Sequence, residues 1–215
     1  MKIFLFGDSL FDNGAYVGNG PTVTASLEAM WSAGVERVAR DAHVISSIPY
    51  QWEEARRIGL NPAHDAVVVS VSGKDFLNRL HLWMEPCPTI ADGLLQIHEI
   101  LSSFYATYTA MVDEMVARGC RHLVLTTIYP VFDMQRIEYM VTSVPTRVSK
   151  TWAVTAPIIN LMNSHIRAEA KRVGAKVVDL YHSDIEPNDI VFGIEPGPTA
   201  SPKIAQAIVK AMRVS

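Results

Sequence analysis

IFLFGDSLFDNG, residues 3–14, decides the fold. Its first four residues are a fully apolar run closed by Gly7-Asp8-Ser9. That is the pattern of a central parallel strand, buried on both faces, which delivers a loop to the carboxyl edge of its sheet. Residues 66–71, 122–127 and 175–180 repeat the signal. Four such strands separated by helical segments make βα units, and therefore an α/β fold on a parallel sheet. A fifth strand is expected from residues 35–38 or from residues 44–45, and the pattern does not choose between them.

Outward from these strands, the clearest helix spans residues 94–117. Leu94, Ile97, Leu101, Tyr105, Tyr108, Met111 and Met115 recur there every three or four residues and form one apolar face, and Gly119 closes the segment. A second helix is expected from Pro157, which suits a first turn because no intrahelical N–H partner is needed there. It would bury Ile158, Leu161, Met162 and Ile166 and stop near Gly174. A third, over residues 202–214, starts on Pro202 with Ser201 as its expected cap and turns Ile204, Ala205, Ile208 and Met212 inward. Residues 129–150 contain Pro130 and Pro145 and keep no period. They leave the carboxyl end of a strand, where open α/β sheets place ligands. A substrate-facing lid and a surface for self-association are both open readings of that segment.

With 215 residues, 49% hydrophobic, the chain can bury one sizeable core, and a single domain over residues 1–215 is the economical reading. A net charge of -3 without a Lys/Arg tract gives no electrostatic footprint for a nucleic-acid backbone, so nucleic acid is not an expected partner. The amino-terminal apolar run is too short for a secretory segment or a membrane span, so a cytoplasmic location is expected. Cys87 and Cys120 make no disulfide framework and have no histidine in a pairing role; both read as small hydrophobes. His43, His64, His81, His98, His122 and His165 include no compact His-x-x-x-His pair and no Cys/His cluster, so no metal is expected. The glycine patterns of dinucleotide and phosphate loops are missing too, and no cofactor is expected.

Chemistry concentrates at the first turn. A strand followed by Gly-Asp-Ser-Leu and then Asp12-Asn13-Gly14 places the Ser9 hydroxyl on a tight turn with backbone N–H groups beside it. Such groups suit a nucleophile whose attack creates an oxyanion, because donors fixed where charge develops favour the transition state over the ground state. Asp8 and Ser9 can equally serve only to satisfy turn amides.

FGDSLFDNG, residues 6–14, resembles the first block of the SGNH (GDSL) hydrolases, a family of serine esterases, lipases and deacylases. The order of elements is similar over nearly the whole chain. The resemblance implies a three-layer α/β/α sandwich around a flavodoxin-like, five-stranded parallel sheet. It implies that Ser9 is the nucleophile, that the Ser9 N–H contributes to an oxyanion hole, and that Asp8 supports it. VSVSGKDFL, residues 69–77, resembles the block that usually reads Gly-x-Asn-Asp or Gly-Asn-Asp, with Gly73 and Asp75 in register and Lys74 where the family has its oxyanion-binding asparagine. The second-block glycine has its nearest counterpart around Asp41-Ala42 and is replaced. In the family's final block, usually Asp-x-x-His-Pro, this chain reads Ile194-Glu195-Pro196-Gly197-Pro198-Thr199: Ile194 takes the aspartate position and Gly197 the histidine position.

A serine hydroxyl needs a base at neutral pH, and three substitutes are available. Asp179 and His182 have the Asp-x-x-His spacing at the end of a strand, although they can simply terminate that strand and satisfy its loop. Lys74 can stabilise an oxyanion as a cation, act as a base if desolvated, or pair with Asp8 or Asp75. Glu195 can orient a water or a distant histidine, its carboxylate being a weak base for serine. The expected function is SGNH-type hydrolysis of a small ester or acylated substrate through Ser9 with a non-standard base. The alternative is a catalytically silent SGNH-like binding or assembly domain. Two structural expectations follow from the blocks: Ser9, Gly73 and Lys74 converge on one rim of the sheet, and no imidazole takes the place of Gly197 beside Ser9.

Overall fold

The computed structural model describes residues 1–71, 73–79, 86–130 and 152–213. Strands β1 (Ile3–Gly7), β2 (Val35–Arg37), β3 (Ala66–Ser70), β4 (His122–Thr126) and β5 (Lys176–Val178) form a parallel sheet in the order β2-β1-β3-β4-β5. The fifth strand is thus the segment at Val35, paired with Ile3 of β1. The alternative at residues 44–45 instead opens the 3₁₀ turn Ile45–Ser47.

Alternation along the strands builds two cores. Phe4, Phe6, Val67, Val69, Leu123 and Leu125 turn to one face, where α2 (Ile48–Arg57), α4 (Ile90–Ala117) and α5 (Trp152–Val173) cover them. Ile3, Leu5, Ala66, Val68 and Val124 turn to the other, under α1 (Val23–Met30) and α6 (Ala200–Arg213). Both faces are dry, which is why the strands are continuous apolar runs and not alternating ones. Full burial of each of Phe4 and Phe6 contributes roughly 1.5–3 kcal/mol.

Three helices start upstream of their expected first residues. α4 begins at Ile90, where Thr89 and Asp92 form a capping box, and Leu94 on its first turns is exposed. α5 begins at Trp152, so Pro157 lies inside it, and Leu161 faces outward. α6 begins at Ala200, so Ser201 is not a cap: its buried hydroxyl donates to the Gly197 carbonyl at 3.1 Å. A two-stranded antiparallel hairpin, β6 (Ile190–Val191) and β7 (Glu195–Pro196), precedes α6. The short α3 (Gly73–Asn78) follows β3. Residues 131–150, with the lid and self-association readings attached to them, lie outside the described residues. Among the described residues no helix is long and apolar enough to cross a membrane.

From β1 the chain crosses to β2 on one side and returns to β3 on the other. The carboxyl ends of β1 and β3 therefore flank the switch point of the sheet, the crevice where open α/β folds bind ligands.

Candidate active site

At that switch point β1 and β3 approach so closely that a Cβ on Gly7 would lie 1.9 Å from the Ser70 carbonyl oxygen, and Gly7 has φ +137°. Only glycine fits. The peptide groups of Gly7 extend past the end of β2, and Gln51 of α2 completes them: its Oε1 accepts the Gly7 N–H and its Nε2 donates to the Gly7 carbonyl, both at 2.8 Å. The chain then turns, with the Asp8 N–H donating to Ser70 O at 3.1 Å.

Asp8 is buried beneath this turn. Its Oδ1 accepts the Leu10 N–H at 3.2 Å and the Ser70 hydroxyl at 3.4 Å, and the Lys74 N–H also donates to the carboxylate. Burial raises its pKa to about 7; the Leu10 and Lys74 N–H groups oppose the rise, and the charges of Glu195 and Asp75 add to it. Ser9 is half-buried and lines a cleft together with Gly73, Lys74, Thr127, Tyr129 and Glu195. Its N–H has no acceptor among the described residues. Leu10, Val71, Phe76, Ile128 and Ile194 supply the apolar walls.

Ser9, Gly73 and Lys74 therefore share one rim of the sheet. Gly73 lies against Asp8, a Cβ there coming within 3.8 Å of Oδ2. Lys74 meets Asp8 through its backbone N–H, while its ammonium charge favours ionised Glu195. This differs from the salt bridge to Asp8 or Asp75 suggested by the sequence. Asp75 does not line the cleft; its Oδ2 accepts the Ile45 N–H at 3.1 Å, tying α3 to the loop after β2, and only its charge reaches Asp8.

Asp179 and His182 do find each other, His182 Nδ1 lying 3.0 Å from Asp179 Oδ2. Their other partners are Arg167 of α5, whose guanidinium reaches both Asp179 oxygens at about 3.0 Å, and the Thr127 hydroxyl at 3.1 Å. Burial would lift the Asp179 pKa, but the hydrogen bonds from Arg167 and His182 outweigh it and hold the carboxyl at about 2. His182 is two-thirds exposed, and neither residue lines the Ser9 cleft. The pair closes the end of β5 and does not line the cleft that holds Ser9.

Glu195 does face it. The β6/β7 hairpin carries its carboxylate into the cleft that Ser9 lines, where the Ser9 hydroxyl favours its ionised form. Burial raises the Glu195 pKa to about 7, countered by the Ser9 hydroxyl and the Lys74 charge and assisted by Asp41. Gly197, which the resemblance sets in the histidine position of the final block, is packed into the hairpin. Its N–H donates to Asp189 O at 2.8 Å, and a Cβ there would lie 2.8 Å from that oxygen and 3.1 Å from Val191 Cγ1. Ala42, near the replaced second-block glycine, keeps a glycine-like φ of +65°. It is exposed and its N–H donates to Asp41 Oδ1 at 2.7 Å, so it contributes no donor to the cleft.

Asn13, fully buried, clasps the turn that carries Ser9 to this hairpin. Its Nδ2 donates to Pro196 O at 3.1 Å and to Ser201 Oγ at 2.9 Å, and its Oδ1 accepts the Val23 N–H at 3.1 Å. Gln51 and Asn13 position the site without lining the cleft, and sequence reasoning assigned neither. For Asn13 the hint lay in the opening run itself, as a polar residue two positions after Phe11, which like Leu10 is buried.

No family model and no curated protein matches the chain. Solved structures do. A member of the lipolytic protein G-D-S-L family from Veillonella parvula superposes with a TM-score of 0.67 at 13% identity, covering 100% of both chains. A phospholipase A1 from Streptomyces albidoflavus does so with a TM-score of 0.65 at 14% identity, covering 98% of each chain. An extracellular lipase from Streptomyces rimosus gives 0.63 at 14% identity, over 98% of this chain and 99% of the other. At such identities the likeness is one of architecture: this chain has the fold of the SGNH, or GDSL, hydrolases.

Proposed function

We propose that the chain is an SGNH-type serine hydrolase that cleaves a small ester or acylated substrate through Ser9. The observation that carries this reading is the placement of Ser9. Its hydroxyl opens into a cleft at the switch point of the sheet that it shares with a buried carboxylate, and its N–H is free among the described residues. Ser9 Oγ attacks the acyl carbon and the Ser9 N–H donates to the oxygen on which negative charge develops. Asp8 holds the turn in shape through Leu10, Ser70 and Lys74. The apolar walls receive the acyl group, and water releases it from Ser9. Solved structures of this fold described as a phospholipase A1 and a lipase are in keeping with acyl chemistry.

The test is hydrolysis of p-nitrophenyl esters from acetate to octanoate, with fluorophosphonate labelling followed by peptide mass analysis. Turnover and labelling that vanish in Ser9→Ala support the reading. Their absence from the wild type would end it. Gly197 in place of the histidine favours a second reading, a silent binding domain. That domain would bind an acylated ligand in calorimetry with no turnover.

A further inference from the structure

We propose that Glu195 is the general base for Ser9, standing in for an imidazole from a neighbouring backbone position; the assignment rests on the hydrolase reading above. Four observations converge on it. The Ser9 side chain and the Glu195 carboxylate line the same cleft at the switch point, and the Ser9 hydroxyl favours the ionised carboxylate. Glu195 Oε2 is buried with no hydrogen-bond partner among the described residues, so the carboxylate keeps an unused acceptor inside the site. The hairpin geometry explains why position 195 can replace position 197. Ile190 pairs with Pro196, Val191 with Glu195, and the Gly197 N–H continues the ladder to Asp189 O. In an extended ladder residues two apart face the same side, so a long side chain at 195 reaches the side of the hairpin that a side chain at 197 would occupy. A side chain at 197 is itself obstructed by Asp189 O. Lastly, Asn13 anchors Pro196, the residue after Glu195, to the turn that carries Ser9, fixing base and nucleophile relative to each other.

The surroundings suit a base. Glu195 is faced by Ser9 and Asp8 from the turn after β1, Tyr16 and Asp41 from the adjoining loops, Lys74 of α3, and Tyr129 after β4. Lys74 favours the ionised form, whereas burial and Asp41 oppose it. An ordinary glutamate is too weak a base to draw on a serine proton; one lifted to about 7 titrates where histidine does.

The proton inventory closes with this residue alone. Glu195 takes the proton of Ser9 Oγ as the Oγ–acyl bond forms, then gives it to the leaving alkoxide as the acyl–oxygen bond breaks. In the second half it takes a proton from water attacking the acyl-serine and returns it to Ser9 Oγ as the acid departs.

Glu195→Gln, Glu195→Asp and His182→Ala are to be compared with the wild type and Ser9→Ala on the p-nitrophenyl ester that the wild type cleaves best. Expected are a 10²- to 10⁴-fold loss of kcat/KM in Glu195→Gln and a large loss in Glu195→Asp, whose carboxylate is withdrawn by one methylene. His182→Ala is expected to behave as wild type. The wild-type profile should rise with pH through about 7, and the residual Glu195→Gln activity should lack that limb. Added formate should restore turnover to Glu195→Ala, a rescue that a structural role would not produce. Ser9-dependent turnover retained within threefold in Glu195→Gln, with its pH limb intact, overturns the assignment and leaves the hydrolase reading standing. A wild type with neither turnover nor Ser9 labelling removes both.

Discussion

Glu195→Gln has a second consequence, readable without any substrate. A glutamate in the unfolded chain protonates near 4.5, whereas buried Glu195 does so at about 7. Below 4.5 both forms are neutral and the carboxyl costs nothing. Between 4.5 and 7 the unfolded chain has released its proton while the folded one retains it, so unfolding becomes easier as pH rises. Above 7 the cost is fully present. A window of about 2.5 pH units at ~1.4 kcal/mol per unit comes to ~3.5 kcal/mol. For a chain of 215 residues that is a Tm difference of roughly 7–14 °C. Glutamine cannot ionise, so the variant should match the wild type near pH 4.5 and melt higher at pH 8. Loss of the attraction to Lys74 trims the gain, and relief of Asp8 from a neighbouring charge adds to it. Scanning calorimetry of both proteins from pH 4.5 to 8.5 reads this directly. A Tm difference independent of pH, or a variant less stable than wild type at pH 8, would refute the buried-carboxylate account.

Asn13→Ala should lower stability by about 2–4 kcal/mol in urea unfolding, because it strips partners from the buried Val23 N–H and Pro196 carbonyl at once. Under the base assignment it should also lower kcat more than it raises KM. Gly197→His, which restores the family residue, should add no activity and should lower Tm, since its Cβ meets Asp189 O at 2.8 Å; a gain in kcat/KM would contradict that packing.

The sheet was legible because its strands are buried on both faces and so carry unbroken apolar runs. Ile3, Leu5, Phe4 and Phe6 reveal strand and burial together, although not which residue serves which core. The 28-residue α4 announced itself by period, since seven apolar residues at helical spacing leave little room for another reading. α2 did not: IPYQWEEARR buries only Ile48, Gln51, Trp52 and Ala55, and its most consequential residue for the site is a glutamine. Two-residue strands such as β6 and β7 carry no period at all. Ser201 followed by Pro202 imitates a cap and first turn, but the tertiary bond from Asn13 draws the serine inside the helix.

The candidate site was half legible for a related reason. Backbone devices are local, so Gly7, Asp8 and Ser9 could be placed from one run of residues, and Gly73 and Lys74 from the run that forms β3 and the turn after it. Proton transfer depends on direction and burial, which spacing does not encode. Asp179 and His182 have the right interval and do form a pair, yet Arg167 and Thr127 hold that pair at the end of β5. Glu195 sits in a degenerate block and looks like a weak base on its ordinary pKa. What changes its standing is tertiary: a hairpin that faces it into the cleft, a lysine from α3, and burial that raises its proton affinity. The same burial that makes a carboxylate costly to the fold is what brings it into the range where it can take a proton from serine, so the stability lost between pH 4.5 and 7 and the basicity gained by the carboxylate are two readings of one interaction.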